Sequence, residues 1–148
     1  MKKRVNGRGR GKGVAGYSTR SLIEKLGIKP GTTIAILNAP RAYERTLGRL
    51  PQQVSRRPAA TGLLDFVQFF TREKGELERE FAALARALTP AGMLWISWPK
   101  QSSGVATDLT EDVVRAIGVA HGLVDVKVAA VDDVWSGLKF VRRLKDRS

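Results

Sequence analysis

The chain contains no cysteine, so disulfides, thiolate nucleophiles and sulfur-ligated metals are all excluded, as suits a reducing compartment. It contains one histidine, His121. A lone imidazole beside a glycine near a helix end makes no metal site, and no metal is expected. No apolar run approaches the roughly 18 residues that cross a bilayer. The basic start, Met1-Lys2-Lys3-Arg4, is not followed by the apolar stretch of a secretory signal. These absences predict a cytoplasmic protein with no membrane partner. What remains is ordinary in bulk: 148 residues, 43% of them hydrophobic, fit one domain that buries a core without staples.

Acid is scarce at one end. The net charge is +12, and residues 1–62 carry fourteen Lys/Arg against only Glu24 and Glu44. Residues 63–148 carry twelve of each sign. Lys2, Lys3, Arg4, Arg8, Arg10 and Lys12 lie in a segment with no acid, and such an arm is attracted to polyanions through counterion release. Gly7, Gly9, Gly11, Gly13 and Gly16 interleave with these charges. The domain reading is therefore a flexible basic tail over 1–16 and a single α/β domain over 17–148. Gly11-Lys12-Gly13-Val14-Ala15-Gly16 has the glycine spacing of a dinucleotide fingerprint, but no strand precedes it and no acid follows about 20 residues on. Gly11-Lys12 also resembles the end of a phosphate-binding loop, with Gly13 where Ser or Thr is required.

The rest of the chain alternates strands and helices. Ser18 is read as the N-cap of a short helix carrying Leu22, Ile23 and Leu26, stopped by Gly27. Thr32–Leu37 is a strand, and Pro40 opens a helix to about Leu47. A weak extended stretch covers Gln53–Arg56. Leu63–Phe70 reads as a strand buried on both faces. Leu77, Phe81, Leu84 and Leu88 recur at helical spacing, and Thr89-Pro90-Ala91-Gly92 is expected to stop that helix before a strand over Met93–Trp98. Asp108 to Glu111 has capping-box spacing ahead of Val113, Val114 and Ile117. Val124–Val131 and Leu138–Val141 form a final hairpin across Asp132–Gly137. This pattern predicts a mostly parallel sheet with an antiparallel C-terminal hairpin.

Gly27-Ile28-Lys29-Pro30-Gly31 before a strand, Leu64-Asp65-Phe66-Val67-Gln68, and Leu88-Thr89-Pro90-Ala91-Gly92-Met93-Leu94-Trp95-Ile96-Ser97 resemble the entry to the first strand, the fourth strand and the approach to the fifth strand of class I methyltransferases. More finely, Leu37–Pro40, Gly92–Lys100, Gly104–Arg115 and Val134–Lys139 resemble a family of small bacterial proteins without an established activity. The resemblance implies a shortened Rossmann-like, methyltransferase-like three-layer fold. Against that pattern, Asn38-Ala39-Pro40-Arg41-Ala42-Tyr43 has no glycine where the family approaches S-adenosylmethionine. The second strand ends in Arg56 and Arg57 rather than in a carboxylate that could accept from ribose hydroxyls. There is also no room before Leu63 for the usual helix and third strand. The expectation is a degenerate site, with no cofactor predicted and S-adenosylmethionine argued against.

Open α/β sheets bind ligands at the carboxyl ends of their strands. That edge gathers Asn38, Arg41, Trp98, Lys100, Ser102 and Ser103, with Trp135 joining if the hairpin folds back. No catalytic residue is assigned. Three functions stay open: a non-catalytic binding or regulatory module for a small ligand or protein, which the eroded loop favours; a nucleic-acid-associated protein using the basic N-terminal region; and an atypical methyltransferase.

Overall fold

A computed structural model describes residues 20–147; the readings on residues 1–16 and on Ser18 lie outside them. Ser21 caps α1 (Leu22–Leu26). Its hydroxyl accepts from the Glu24 amide and the Glu24 carboxylate accepts in return from the Ser21 amide, a reciprocal arrangement that satisfies two open donors. Gly27 ends the helix at φ 87°, a conformation a side chain would strain. The chain then runs through β1 (Thr33–Leu37), α2 (Tyr43–Leu47), β2 (Ser55–Arg57), β3 (Leu64–Phe70), α3 (Lys74–Arg86), β4 (Leu88–Pro99), α4 (Glu111–Ala120), β5 (Leu123–Ala130) and β6 (Trp135–Arg142).

Six strands form one sheet in the order β2-β1-β3-β4-β6-β5. β1 pairs in parallel with β2 and β3, and β3 with β4. β6 enters antiparallel between β4 and β5. The predicted mixed sheet with its antiparallel hairpin is therefore what forms. Residues 58–63 alone connect β2 to β3, so no helix or further strand intervenes there.

Side-chain alternation along β3 and β4 divides the core. Val67, Phe69, Leu94, Ile96 and Trp98 pack beneath α3 and α4. Phe66, Phe70 and Trp95 point the other way, beneath α1 and α2. Both faces of these strands are thus dry, which explains their nearly continuous hydrophobicity. Where polar groups enter this core they are paired. Trp95 Nε1 donates to the Leu26 carbonyl at 2.8 Å. Tyr43 Oη donates to Gln68 Oε1 at 2.7 Å, and Gln68 Nε2 donates to Ser97 Oγ at 3.2 Å. This chain of bonds ties α2 to β3 and β4 through buried Gln68 and Ser97. Burial pushes the Tyr43 phenol well above its ordinary 10.0.

Three local expectations change. Thr89–Gly92 does not interrupt the chain before β4 but belongs to it. Leu88 already pairs with Leu64, and the register shifts before Met93 meets Phe66. The irregularity accommodates Pro90, and Thr89 Oγ1 bonds Asp65 Oδ1 at 3.3 Å. The α4 N-cap is Thr110, which accepts from the Val113 amide. Asp108 instead accepts from the Lys74 amide at 2.7 Å, joining the two helices on that face. Trp135 begins β6 instead of sitting in the hairpin turn. No helix among the described residues is long and apolar enough to cross a membrane.

Candidate functional site

β1 lies between β2 and β3; the connection after β1 runs outward to β2, and the one after neighbouring β3 runs the opposite way to β4. Such a reversal opens a crevice at the carboxyl edge, where neighbouring loops diverge. A cleft of about 500 Å³ occupies this position, lined by Asn38 after β1, Thr71 to Glu73 and Glu76 after β3, and Val105, Val134 and Trp135.

Each wall is held from below. Asn38 adopts φ 58° and Ala42 φ 71°, so the loop after β1 turns twice through the left-handed region without glycine. Asn tolerates that region better than most side chains. Thr71 is buried; its hydroxyl donates to Glu76 Oε1 at 2.5 Å and accepts from the Glu73 amide at 3.2 Å. These bonds fix the turn that presents Arg72 and Glu73 to solvent. Trp135 meets Phe70 edge to face at 5.1 Å, and Phe70 meets Tyr43 likewise at 4.7 Å. Asp132 Oδ1 accepts from the amides of both Val134 and Trp135 at 2.8 Å, which sets where the Trp135 ring stands. The cleft thus combines two carboxylates, a guanidinium, a side-chain amide and an aromatic wall.

The sequence-predicted residues divide between two cavities. Asn38 and Trp135 share the cleft. Trp98, Lys100 and Ser102 line a separate hollow of about 550 Å³ with Leu109 to Asp112 and Ser136. Trp98 is only 5% exposed and is first of all a core residue beneath α4. Ser103 serves its own turn, donating to the Lys100 carbonyl at 2.6 Å and accepting from the Val105 amide at 3.1 Å. Arg41 is exposed and lines neither cavity. Sequence reasoning missed Thr71, Arg72, Glu73 and Glu76. The available signal was their position directly after a doubly buried strand, where an α/β loop reaches the ligand edge. At the end of β2, Arg56 forms a two-pronged ion pair with Glu44, at 2.6 and 2.7 Å. That bond holds the Glu44 carboxyl below its ordinary range.

No protein-family model and no curated protein sequence matches the chain, whereas solved structures do. The magnesium protoporphyrin IX methyltransferase of Synechocystis PCC 6803 with bound SAH superposes with a TM-score of 0.57 at 14% identity, covering 82% of this chain and 78% of its own. A SAM-dependent methyltransferase from Aquifex aeolicus gives 0.58 at 12% identity, over 80% and 86%. The precorrin-6y C5,15-methyltransferase of Geobacter metallireducens GS-15 gives 0.54 at 14% identity, over 82% and 86%. The fold is therefore the Rossmann-like fold of class I methyltransferases. These structures also correct the expectation that argued against S-adenosylmethionine. Proteins with this fold hold SAH or depend on SAM, so a sheet of this build is no reason to set the cofactor aside.

Proposed function

We propose that this protein is an atypical S-adenosylmethionine-dependent methyltransferase whose cofactor sits in the cleft between the ends of β1 and β3. The observation that carries the reading is the cleft's position at the strand-order reversal, together with its donor set. S-adenosylmethionine has a sulfonium, an ammonium, a carboxylate and a flat purine, and the lining answers each chemically. Glu73 and Glu76 supply negative charge for the cationic groups. Arg72 suits a carboxylate, and Asn38 offers an amide to polar edges. Trp135, braced on Phe70, offers a ring face to a purine or to the sulfonium.

When bound, the cofactor supplies an electrophilic methyl group. The chain's own part is to orient and to exclude water. Thr71 locks Glu76 by its hydrogen bond, the Tyr43–Phe70–Trp135 stack closes the floor, and Val105 and Val134 make one wall apolar. Glu73 and Glu76 are the lining carboxylates able to accept a proton from an acceptor hydroxyl or amine. The solved neighbours with this fold that hold SAH or depend on SAM lend no support to a non-catalytic module.

The test is a thermal-shift and calorimetric titration of the full chain with SAH and S-adenosylmethionine, with ATP as control. Saturation at about one hundred times Kd stabilises by about 2.7 kcal/mol, a readily measured rise in Tm. Trp135→Ala and Glu73→Gln are expected to weaken binding. Folded protein that ignores millimolar SAH and S-adenosylmethionine would sink the proposal.

A further inference from the structure

The two helical layers differ in charge. On the α3/α4 layer the signs are mixed: Arg115 is bonded to Glu111, Asp112 and Asp125, and on α3 Glu76, Glu78 and Glu80 stand against Lys74, Arg79 and Arg86. The α1/α2 layer is basic. Lys25 lies in the last turn of α1 and Lys29 follows it, exposed Arg45 lies on α2, and exposed Arg41 and Arg49 flank α2. Glu24 and Glu44 are the acids of those segments, and both are engaged, Glu24 in the Ser21 cap and Glu44 with Arg56.

The same face extends onto the sheet. Lys127 and Lys139 are direct cross-strand partners, and like charges placed opposite one another are destabilising. Lys139 is also opposite Trp95, a ring on the α1/α2 side of the sheet, so Lys127 and Lys139 point to that side too. Lys127 Nζ reaches the Lys25 carbonyl at 3.3 Å, joining sheet and helix in one cationic surface. Partial burial, then the charges of Lys127 and Lys29, hold the Lys139 ammonium below its ordinary 10.5. No ion pair among the described residues neutralises Lys29, Lys127 or Lys139.

A repulsive lysine cluster without acids is relieved by anions. We propose that the α1/α2 layer, together with the cluster of Lys29, Lys127 and Lys139 beside it, is a docking surface for the phosphate backbone of a nucleic-acid duplex. The composition of the face selects this occupant. None of the exposed large hydrophobic side chains among the described residues is aromatic, and Val124 is the one on this face of the sheet. A membrane-docking face needs inserted Trp, Phe or Leu, and single-strand binding needs rings on which bases stack. Charge without rings suits phosphate contacts, which carry little sequence preference. The inference is independent of the cofactor reading.

The test measures fluorescence anisotropy of short DNA and RNA duplexes with the full chain across a monovalent salt series. The comparison is among wild type, Lys29→Ala/Lys127→Ala/Lys139→Ala, and a control on the opposite layer, Arg79→Ala/Arg86→Ala. Each phosphate contact contributes about 0.9 to the slope of log K against log salt. The lysine variant is expected to lower that slope by about 2–3 and to weaken low-salt binding by roughly tenfold or more, with the control nearly unchanged. Glutamine at the three positions repeats the measurement if the alanine variant does not fold. An unchanged slope in the lysine variant overturns the surface, because the arm alone then binds. An equal loss in the control overturns it too, because net charge alone then decides. Absence of duplex binding at low salt, or binding confined to anionic phospholipid vesicles, overturns it as well. The SAH titration is expected to be unchanged in the lysine variant, so failure of this inference and failure of the cofactor reading are separately visible.

Discussion

Gly118 lies inside α4 and is buried, and the usual expectation for glycine in a helix interior is that alanine stabilises by about 1 kcal/mol. Here the sign should reverse. A Cβ at Gly118 would overlap Cε1 and Cζ of Phe140 and lie 2.7 Å from its Cδ1. Carbon atoms settle at about 3.5–4.0 Å, so the ring must retreat by roughly 1 Å or more. Phe140 is fully buried and stands edge-on to Phe81 at 5.7 Å, so the ring cannot move without disturbing α3. Overpacking of this kind costs about 1–3 kcal/mol and at times more. After the propensity gain, Gly118→Ala is expected to destabilise by about 1–2 kcal/mol. Gly75→Ala is the contrast: its Cβ would meet only the tip of Arg79, at 3.3 Å, and the same substitution should stabilise by about 0.5–1 kcal/mol. Urea unfolding followed by far-UV circular dichroism reads both changes, with m unchanged. Adding Phe140→Leu to Gly118→Ala should recover stability relative to the sum of the single changes, a coupling that a double-mutant cycle isolates. If Gly118→Ala stabilises as Gly75→Ala does, the close approach of α4 to β6 is wrong.

Tyr43→Phe leaves Gln68 Oε1 buried without its donor and should cost about 1–3 kcal/mol in the same melts. Because the folded Tyr43 pKa is raised above its ordinary 10.0, its protonated form contributes stability that is present below about pH 10 and lost as pH rises. Wild type should therefore fall more steeply above pH 10 than Tyr43→Phe, and parallel curves would contradict the burial argument. Asp125 has the opposite sense. Its Arg115 bond depresses its pKa below 3.8, so that contribution is present above 3.8 and disappears as pH falls through the depressed value; Arg115→Gln should remove this part of the acid transition. Trp98→Ala, at a 5% exposed core position, should cost about 3–5 kcal/mol. Trp135→Ala, at the half-open cleft wall, should cost clearly less, and equal losses would mean that both rings are core.

Several features were legible because their causes are local. Doubly apolar β3, the spacing of Leu77, Phe81 and Leu84 on α3, and the final antiparallel hairpin all follow from alternation or helical period. Where local signals competed, tertiary pairing won. Pro90 and Gly92 read as a break, yet the chain there is already in β4, because Leu88 pairs with Leu64. A Cβ at Gly92 would come within 2.9 Å of the Leu64 carbonyl, so that glycine marks close strand approach, not a stop. Asp108 and Glu111 had the spacing of a cap, but Asp108 found the Lys74 amide across the helix layer, a partner that no spacing rule contains.

The candidate site divides along the same line. The sequence by itself determined the order of most strands and helices, and that its first 62 residues hold all the excess positive charge, because hydrophobic period and composition are properties of the chain. Only the tertiary structure decided that Asn38, Glu73, Glu76 and Trp135 share one cleft while Trp98 and Lys100 face another. It also decided that Lys127 and Lys139 stand side by side on the basic layer. The cleft residues come from far apart in the chain, and the order in which strands pair brings them together, whereas the two lysines meet across the final hairpin.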